Sequence, residues 1–210
     1  MAQIGRTRLG RALSGLAAPG LAAVMIFLAG PAAADLMHWS GLTFSDELGG
    51  FNLISVSGSG TSIDPYVIVE EITGAEPAVL VVRGLSAVFS HGVGAHRLPG
   101  FHLIKVAINR TDFAWTSYEL ELQEVLWLPS DYLDGLSWDQ AVQSVRPFKS
   151  DRFSQSVDVR EPSDVIRFSE GRVEPGDVVT MRVTLSDPTP AAEFYVLQVP
   201  QRLIESARVR

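Results

Sequence analysis

Val178-Val179-Thr180-Met181-Arg182-Val183-Thr184-Leu185 is the stretch that decides the fold. Val179, Met181, Val183 and Leu185 alternate with Thr180, Arg182 and Thr184, which is the period of a half-buried strand with one wet face. Pro175-Gly176-Asp177 directly before it is a turn that feeds a strand. Residues 116–122 repeat the pattern: Tyr118, Leu120 and Leu122 point one way, Ser117, Glu119 and Glu121 the other. Helix competes for that acidic stretch, but the alternation and the aromatic and β-branched content favour a strand.

Working outward, residues 51–56, 66–72, 79–82, 101–108, 165–168 and 194–199 complete a set of about eight strands. Several are apolar on both faces, as central strands of a packed double sheet are. Turn residues separate them at short intervals: Gly49-Gly50, Gly58-Ser59-Gly60, Asp64-Pro65, Pro99-Gly100 and Asp187-Pro188. Many short strands without a βα rhythm predict an all-β fold, an antiparallel β-sandwich of immunoglobulin-like or jelly-roll-like type. Residues 129–149 interrupt the rhythm and read as one long loop carrying a short helix. There Ser137 is placed to cap, and Trp138, Ala141, Val142 and Val145 are spaced to form one apolar face.

The first 34 residues read as a cleavable signal peptide. Arg6, Arg8 and Arg11 form a basic start, residues 13–28 are almost wholly apolar or small, and Pro31-Ala32-Ala33-Ala34 supplies small residues before a cut at Asp35. The densest apolar run is shorter than the ~20 residues a bilayer needs, and Pro19-Gly20 interrupts it. The expected organisation is a signal peptide at 1–34, a single sandwich at 35–200 and a tail at 201–210. The mature protein is expected in the periplasm or outside the cell, with no membrane span.

Cleavage leaves 176 of the 210 residues, enough for one domain with a real core. Losing the three arginines takes the formal net charge from −7 to −10. So acidic a chain repels nucleic acid and anionic membranes, and leaves cations, neutral glycans or proteins as partners. There are no cysteines, which excludes thiol nucleophiles, thiolate metal sites and disulfide staples together.

Candidate chemistry is sparse. His91 and His96 lie in a glycine-rich segment with His102 close behind, and imidazoles are common metal ligands. Their spacings of five and six match neither a helical nor a strand pair, and solvated loop histidines are the plainer alternative. Asp131, Asp134 and Asp139 hint at calcium without the order of an EF-hand loop. Glu70-Glu71 and the Glu119/Glu121 pair are carboxylates of the type a glycosidase uses, although the second pair shares one wet strand face. No Gly-x-Ser-x-Gly elbow is present, and Gly58-Ser59-Gly60-Thr61 reads as a turn, not a phosphate cradle. Trp115, Trp127, Trp138 and Tyr132 are the candidate ligand-binding aromatics. Trp115, opposite in parity to Tyr118, is the best of these for exposure and for stacking on a sugar, while core packing is the favoured reading of the aromatics.

Several segments together carry a resemblance. They are residues 58–70, the run Ile104-Lys105-Val106-Ala107-Ile108-Asn109-Arg110-Thr111 leading through Trp115 into residues 118–122, Val173-Glu174-Pro175-Gly176, and residues 194–200. Over most of residues 50–200 the chain resembles uncharacterised bacterial exported β-sandwich proteins, in particular ectodomains of cell-surface-sorted proteins of choice-of-anchor or PEP-CTERM type. The resemblance implies a sandwich and export, and it carries over no catalytic residues. The expectation is a non-enzymatic exported protein of structural or binding type. A carbohydrate-binding module using exposed aromatics and a periplasmic metal-binding protein using the loop histidines are the alternatives.

Overall fold

Alternating burial along the strands builds two sheets whose apolar faces meet. The computed structural model of the protein describes residues 34–85, 92–93, 98–130, 134–138, 148–158 and 164–202. In chain order the strands are β1 (Leu36–Trp39), β2 (Leu42–Ser45), β3 (Phe51–Ser57), β4 (Tyr66–Ile72), β5 (Ala78–Arg83), β6 (Gly92–Val93) and β7 (Leu98–Asn109). They continue with β8 (Ser117–Gln123), β9 (Ser137–Trp138), β10 (Lys149–Ser150), β11 (Phe153–Asp158), β12 (Val165–Gly171), β13 (Val178–Ser186) and β14 (Glu193–Gln201).

One sheet runs β1-β2-β5-β14-β8-β12-β11, and the other runs β10-β13-β7-β4-β3, with β6 beside β7 and β9 beside β13. The deciding stretch is β13, paired antiparallel with β7 from Val178↔Ile108 to Ser186↔Gly100. Among the described residues one pairing departs from the antiparallel expectation. β4 runs parallel to β7, from Tyr66↔Leu103 to Ile72↔Asn109. Parallel neighbours need a crossover connection, and here the chain leaves for the opposite sheet as β5 before it returns.

One continuous core lies between the sheets. Tyr66, Ile68 and Ile72 of β4, with Phe101, Leu103 and Ala107 of β7, face Phe194 and Val196 of β14 and Tyr118, Leu120 and Leu122 of β8. All are buried. Aromatic rings run from one layer to the other, the first two pairs edge-on and the third tilted. Phe44 meets Tyr66 at 5.7 Å between centroids, Tyr66 meets Phe101 at 5.3 Å, and Phe101 reaches Phe194 at 6.5 Å.

The glycine-rich turn at residues 58–64 is the turn its residues predict. Ser59 and Thr61 both donate backbone N–H groups to the Asp64 carbonyl. Gly60 has φ 80°, and a Cβ there would lie 2.5 Å from the Tyr66 ring, so glycine lets the turn close over the core. The expected helix between 129 and 149 does not begin at Ser137. Ser137 and Trp138 are extended and pair with Ser186 and Leu185, because the free edge of β13 offers them ladder hydrogen bonds. Residues 139–147, the rest of that expectation, lie outside the described residues.

The edge strand β3 carries a bulge between Leu53 and Ser55. Bulges of this kind spoil an edge as a template for pairing with another chain.

Candidate functional site

Two of the four candidate aromatics are core. Trp115 is fully buried, not exposed. Parity fails for it because β8 begins only at Ser117, and Trp115 lies in the turn before, bridged through its backbone to Val173. Its indole donates to Thr111 Oγ1 at 3.1 Å and packs on Tyr118 at 5.4 Å between ring centroids. Trp138 is equally buried, with its indole N–H on the Asp164 carbonyl at 3.2 Å. Tyr132 lies outside the described residues.

The segment that carries the resemblance leads to Trp115 through a closed polar network. Asn109 Nδ2 donates to the carbonyls of Phe113 and Val173, at 2.9 and 3.0 Å. Its Oδ1 accepts from the backbone N–H and the hydroxyl of Thr111. One buried carboxamide thus ties the β7–β8 connection to the segment before β13. Asn109→Ala removes four hydrogen bonds and leaves the Thr111 N–H without its acceptor, while the Val173 carbonyl keeps the Trp115 N–H and the Phe113 carbonyl keeps the Thr111 hydroxyl, so it should lower stability by about 2 kcal/mol in urea unfolding.

Trp127 is the candidate that faces solvent. It is 65% exposed, between Val125 at 59% and Leu128 at 60%. The tip closes as a tight turn in which Leu128 N–H donates to the Val125 carbonyl at 2.9 Å. Trp127 adopts φ 67°, a left-handed conformation that is strained for a large side chain. Buried polar groups hold it there. Gln123 Oε1 accepts the Trp127 backbone N–H at 2.7 Å, and Gln123 Nε2 donates to Glu121 Oε1 at 2.7 Å. On the other side of the tip, Ser130 Oγ accepts the Glu124 N–H at 2.8 Å. An apolar tip is therefore presented by a fixed polar base.

The charged candidates separate. Glu119 and Glu121 are buried, not wet, because β8 is a central strand between β14 and β12 and long side chains cover its outer face. Arg167 Nε binds Glu119 at 2.7 Å. Glu70 and Glu71 point to opposite faces of β4. Glu70 enters the core, whereas Glu71 binds Arg110 at 2.7 Å on the surface, so consecutive position keeps them from flanking one substrate bond. His102 shares a hydrogen bond with Thr184 on the outer face of β7, and His38 does the same with Thr43 on β1 and β2. His91, His96, Asp131 and Asp139 lie outside the described residues. Asp134 Oδ1 accepts the Leu136 N–H at 3.0 Å, a turn-closing role. Among the described residues no group of three or more His, Asp or Glu side chains is placed to hold a metal ion.

No family model matches the chain, and neither a curated protein nor a solved structure matches it. Its chemistry must be read from its own side chains.

The strongest such chemistry lies where the sequence offers least warning, in the middle of the core. Lys105 of β7 and Glu70 of β4 are both fully buried and form an ion pair, Nζ to Oε2 at 2.8 Å. Gln198 of β14 reaches the same oxygen from the opposite sheet, Nε2 to Oε2 at 3.2 Å. Tyr118 of β8 donates its hydroxyl to Gln198 Oε1 at 2.9 Å. Glu70 Oε1 has no hydrogen-bond partner. Burial holds the Lys105 ammonium below its ordinary pKa. Burial, followed by the Glu70 charge, pushes the Tyr118 phenol well above its own, so Tyr118 is a neutral donor.

Proposed function

We propose that the chain is an exported, non-enzymatic β-sandwich that binds a protein partner through the apolar tip at residues 125–129. The carrying observation is Trp127, exposed and held in a left-handed conformation by buried Gln123. An exposed indole between two aliphatic side chains has the composition of an interface hot spot. The aliphatic flanks favour an apolar protein surface over a sugar ring, whose hydroxyls call for hydrogen-bonding groups beside the indole.

Export is supported at the start of β1. Asp35 N–H donates to Asp46 Oδ1 at 2.7 Å, and Asp46 Oδ2 accepts the Leu53 N–H at 2.9 Å. Cleavage before Asp35 would place the new α-ammonium on that carboxylate and turn a neutral hydrogen bond into a charge-assisted one. Sequencing the exported protein should therefore give Asp35 as the first residue.

The partner reading is tested with a photo-crosslinking amino acid at position 127 in the exporting cell and at Val178 as a control. A discrete protein adduct at 127, absent at 178 and abolished by Val125→Asp, is the expected result. Saturable glycan binding lost in Trp127→Ala would move the site to carbohydrate. Turnover of any substrate, lost on one substitution, would overturn the non-enzymatic reading.

A further inference from the structure

Lys105, Glu70, Gln198 and Tyr118 are arranged as an amine, a proton shuttle, a carboxamide and an oxyanion donor. We infer that Lys105 and Gln198 become joined by an intramolecular isopeptide bond that cross-links the two sheets through the core. The inference is independent of what the Trp127 tip binds.

Each component stands on a contact already described. The nucleophile is the Lys105 amine, and desolvation favours its neutral form. Glu70 Oε2 touches the attacking nitrogen at 2.8 Å and the nitrogen that must leave at 3.2 Å, so one oxygen serves both ends of a proton transfer. The partnerless Oε1 gives the protonated carboxyl a second oxygen free of competing donors. Tyr118 places a neutral hydroxyl on Gln198 Oε1, where charge develops when the carbonyl is attacked. Gln198 is a better electrophile than Glu70 itself, because a carboxylate carbon resists an amine.

The step balances without any co-reactant. Lys105 Nζ passes a proton to Glu70, and the Nζ–Cδ bond to Gln198 forms as the carbonyl electrons move onto Oε1. Glu70 delivers that proton to Nε2 and takes the second proton of Nζ in its place. The carbonyl re-forms, the Cδ–Nε2 bond breaks and ammonia leaves. Nothing is oxidised or reduced, and the chain loses about 17 Da as one NH3. A simple buried ion pair would leave the mass unchanged, and would leave an oxygen of a buried carboxylate without a donor, an arrangement native cores seldom keep.

Intact-mass measurement of the exported protein under denaturing conditions decides the matter, followed by tryptic mapping. The expected result is a mass about 17 Da below that of the cleaved sequence, and a branched peptide joining residues 105 and 198. Lys105→Arg and Glu70→Gln should carry the unreduced mass expected of their sequences, and Tyr118→Phe should acquire the loss more slowly. A wild-type chain at full sequence mass, a loss mapped to other residues, or an 18 Da loss joining Lys105 to Glu70 would each overturn the proposal. The wild-type measurement needs no variant to fold.

Discussion

Glu70→Leu should be among the most damaging single substitutions in the protein, lowering unfolding free energy by about 3–5 kcal/mol. The loss comes from what is left behind. Without the carboxylate, the fully buried Lys105 side chain has lost its ion-pair partner at 2.8 Å, and Gln198 loses its acceptor too. Adding Lys105→Met removes the stranded amine, so the double variant should be more stable than Glu70→Leu alone, measured by urea unfolding of all three chains. A pH series on Glu70→Leu adds a second readout. A folded-state pKa held below the ordinary lysine value means that the unfolded chain binds more protons in between. Stability of that variant should therefore rise with pH from the folded value toward about 10.4 and level off above it. A flat profile would mean that Lys105 reaches solvent once Glu70 is gone.

That cluster also marks where sequence reasoning loses its grip. The strands themselves are legible: residues 178–185 and 116–122 alternate cleanly, and β13 and β8 lie where the alternation puts them. In β7 the pattern misleads. Ile104, Val106 and Ile108 are more apolar than the set Leu103, Lys105 and Ala107, so hydrophobicity alone turns Lys105 outward. The structure buries the set containing the lysine and leaves Ile104, Val106 and Ile108 half-buried. β14 repeats the inversion, with Gln198 inside and Leu197 and Val199 on the other face. A strand apolar on both faces gives no parity signal, and only the positions of its neighbours resolve it. The two inversions supply the amine and the carboxamide of one cluster, from opposite sheets.

The aromatic candidates were opaque for a different reason. Exposure of a tryptophan outside a regular strand depends on which backbone it bridges, and the bridge from Trp115 to Val173 joins residues far apart in the chain. Asn109 and Thr111 do precede Trp115 as polar residues just beyond an apolar strand, which is a signal of a hydrogen-bonded turn but not of its depth. For Trp127 the informative residues are Gln123 and Ser130, polar side chains that are buried on either side of an apolar run. Their burial becomes visible only once β8 is known to be central.

Trp115→Ala and Trp127→Ala should therefore behave as opposites. Trp115 fills the core, packs on Tyr118 and donates to Thr111, so its truncation opens a cavity and removes one hydrogen bond from the Thr111 hydroxyl. The expected loss is about 3–5 kcal/mol, enough to leave a domain of ordinary stability largely unfolded at physiological temperature. Trp127 contributes little packing, and alanine at φ 67° keeps the backbone hydrogen bond to Gln123. Its removal should change stability by about 0.5 kcal/mol or less, as for other exposed positions. Near-neutral stability in Trp127→Ala with loss of the photo-crosslinked partner species would separate a contact residue from a core residue, since two indoles of equal size would then differ in the property each controls. A comparable stability loss at both positions would instead mean that the tip packs against segments of the chain itself, and that the partner surface lies elsewhere on the sandwich.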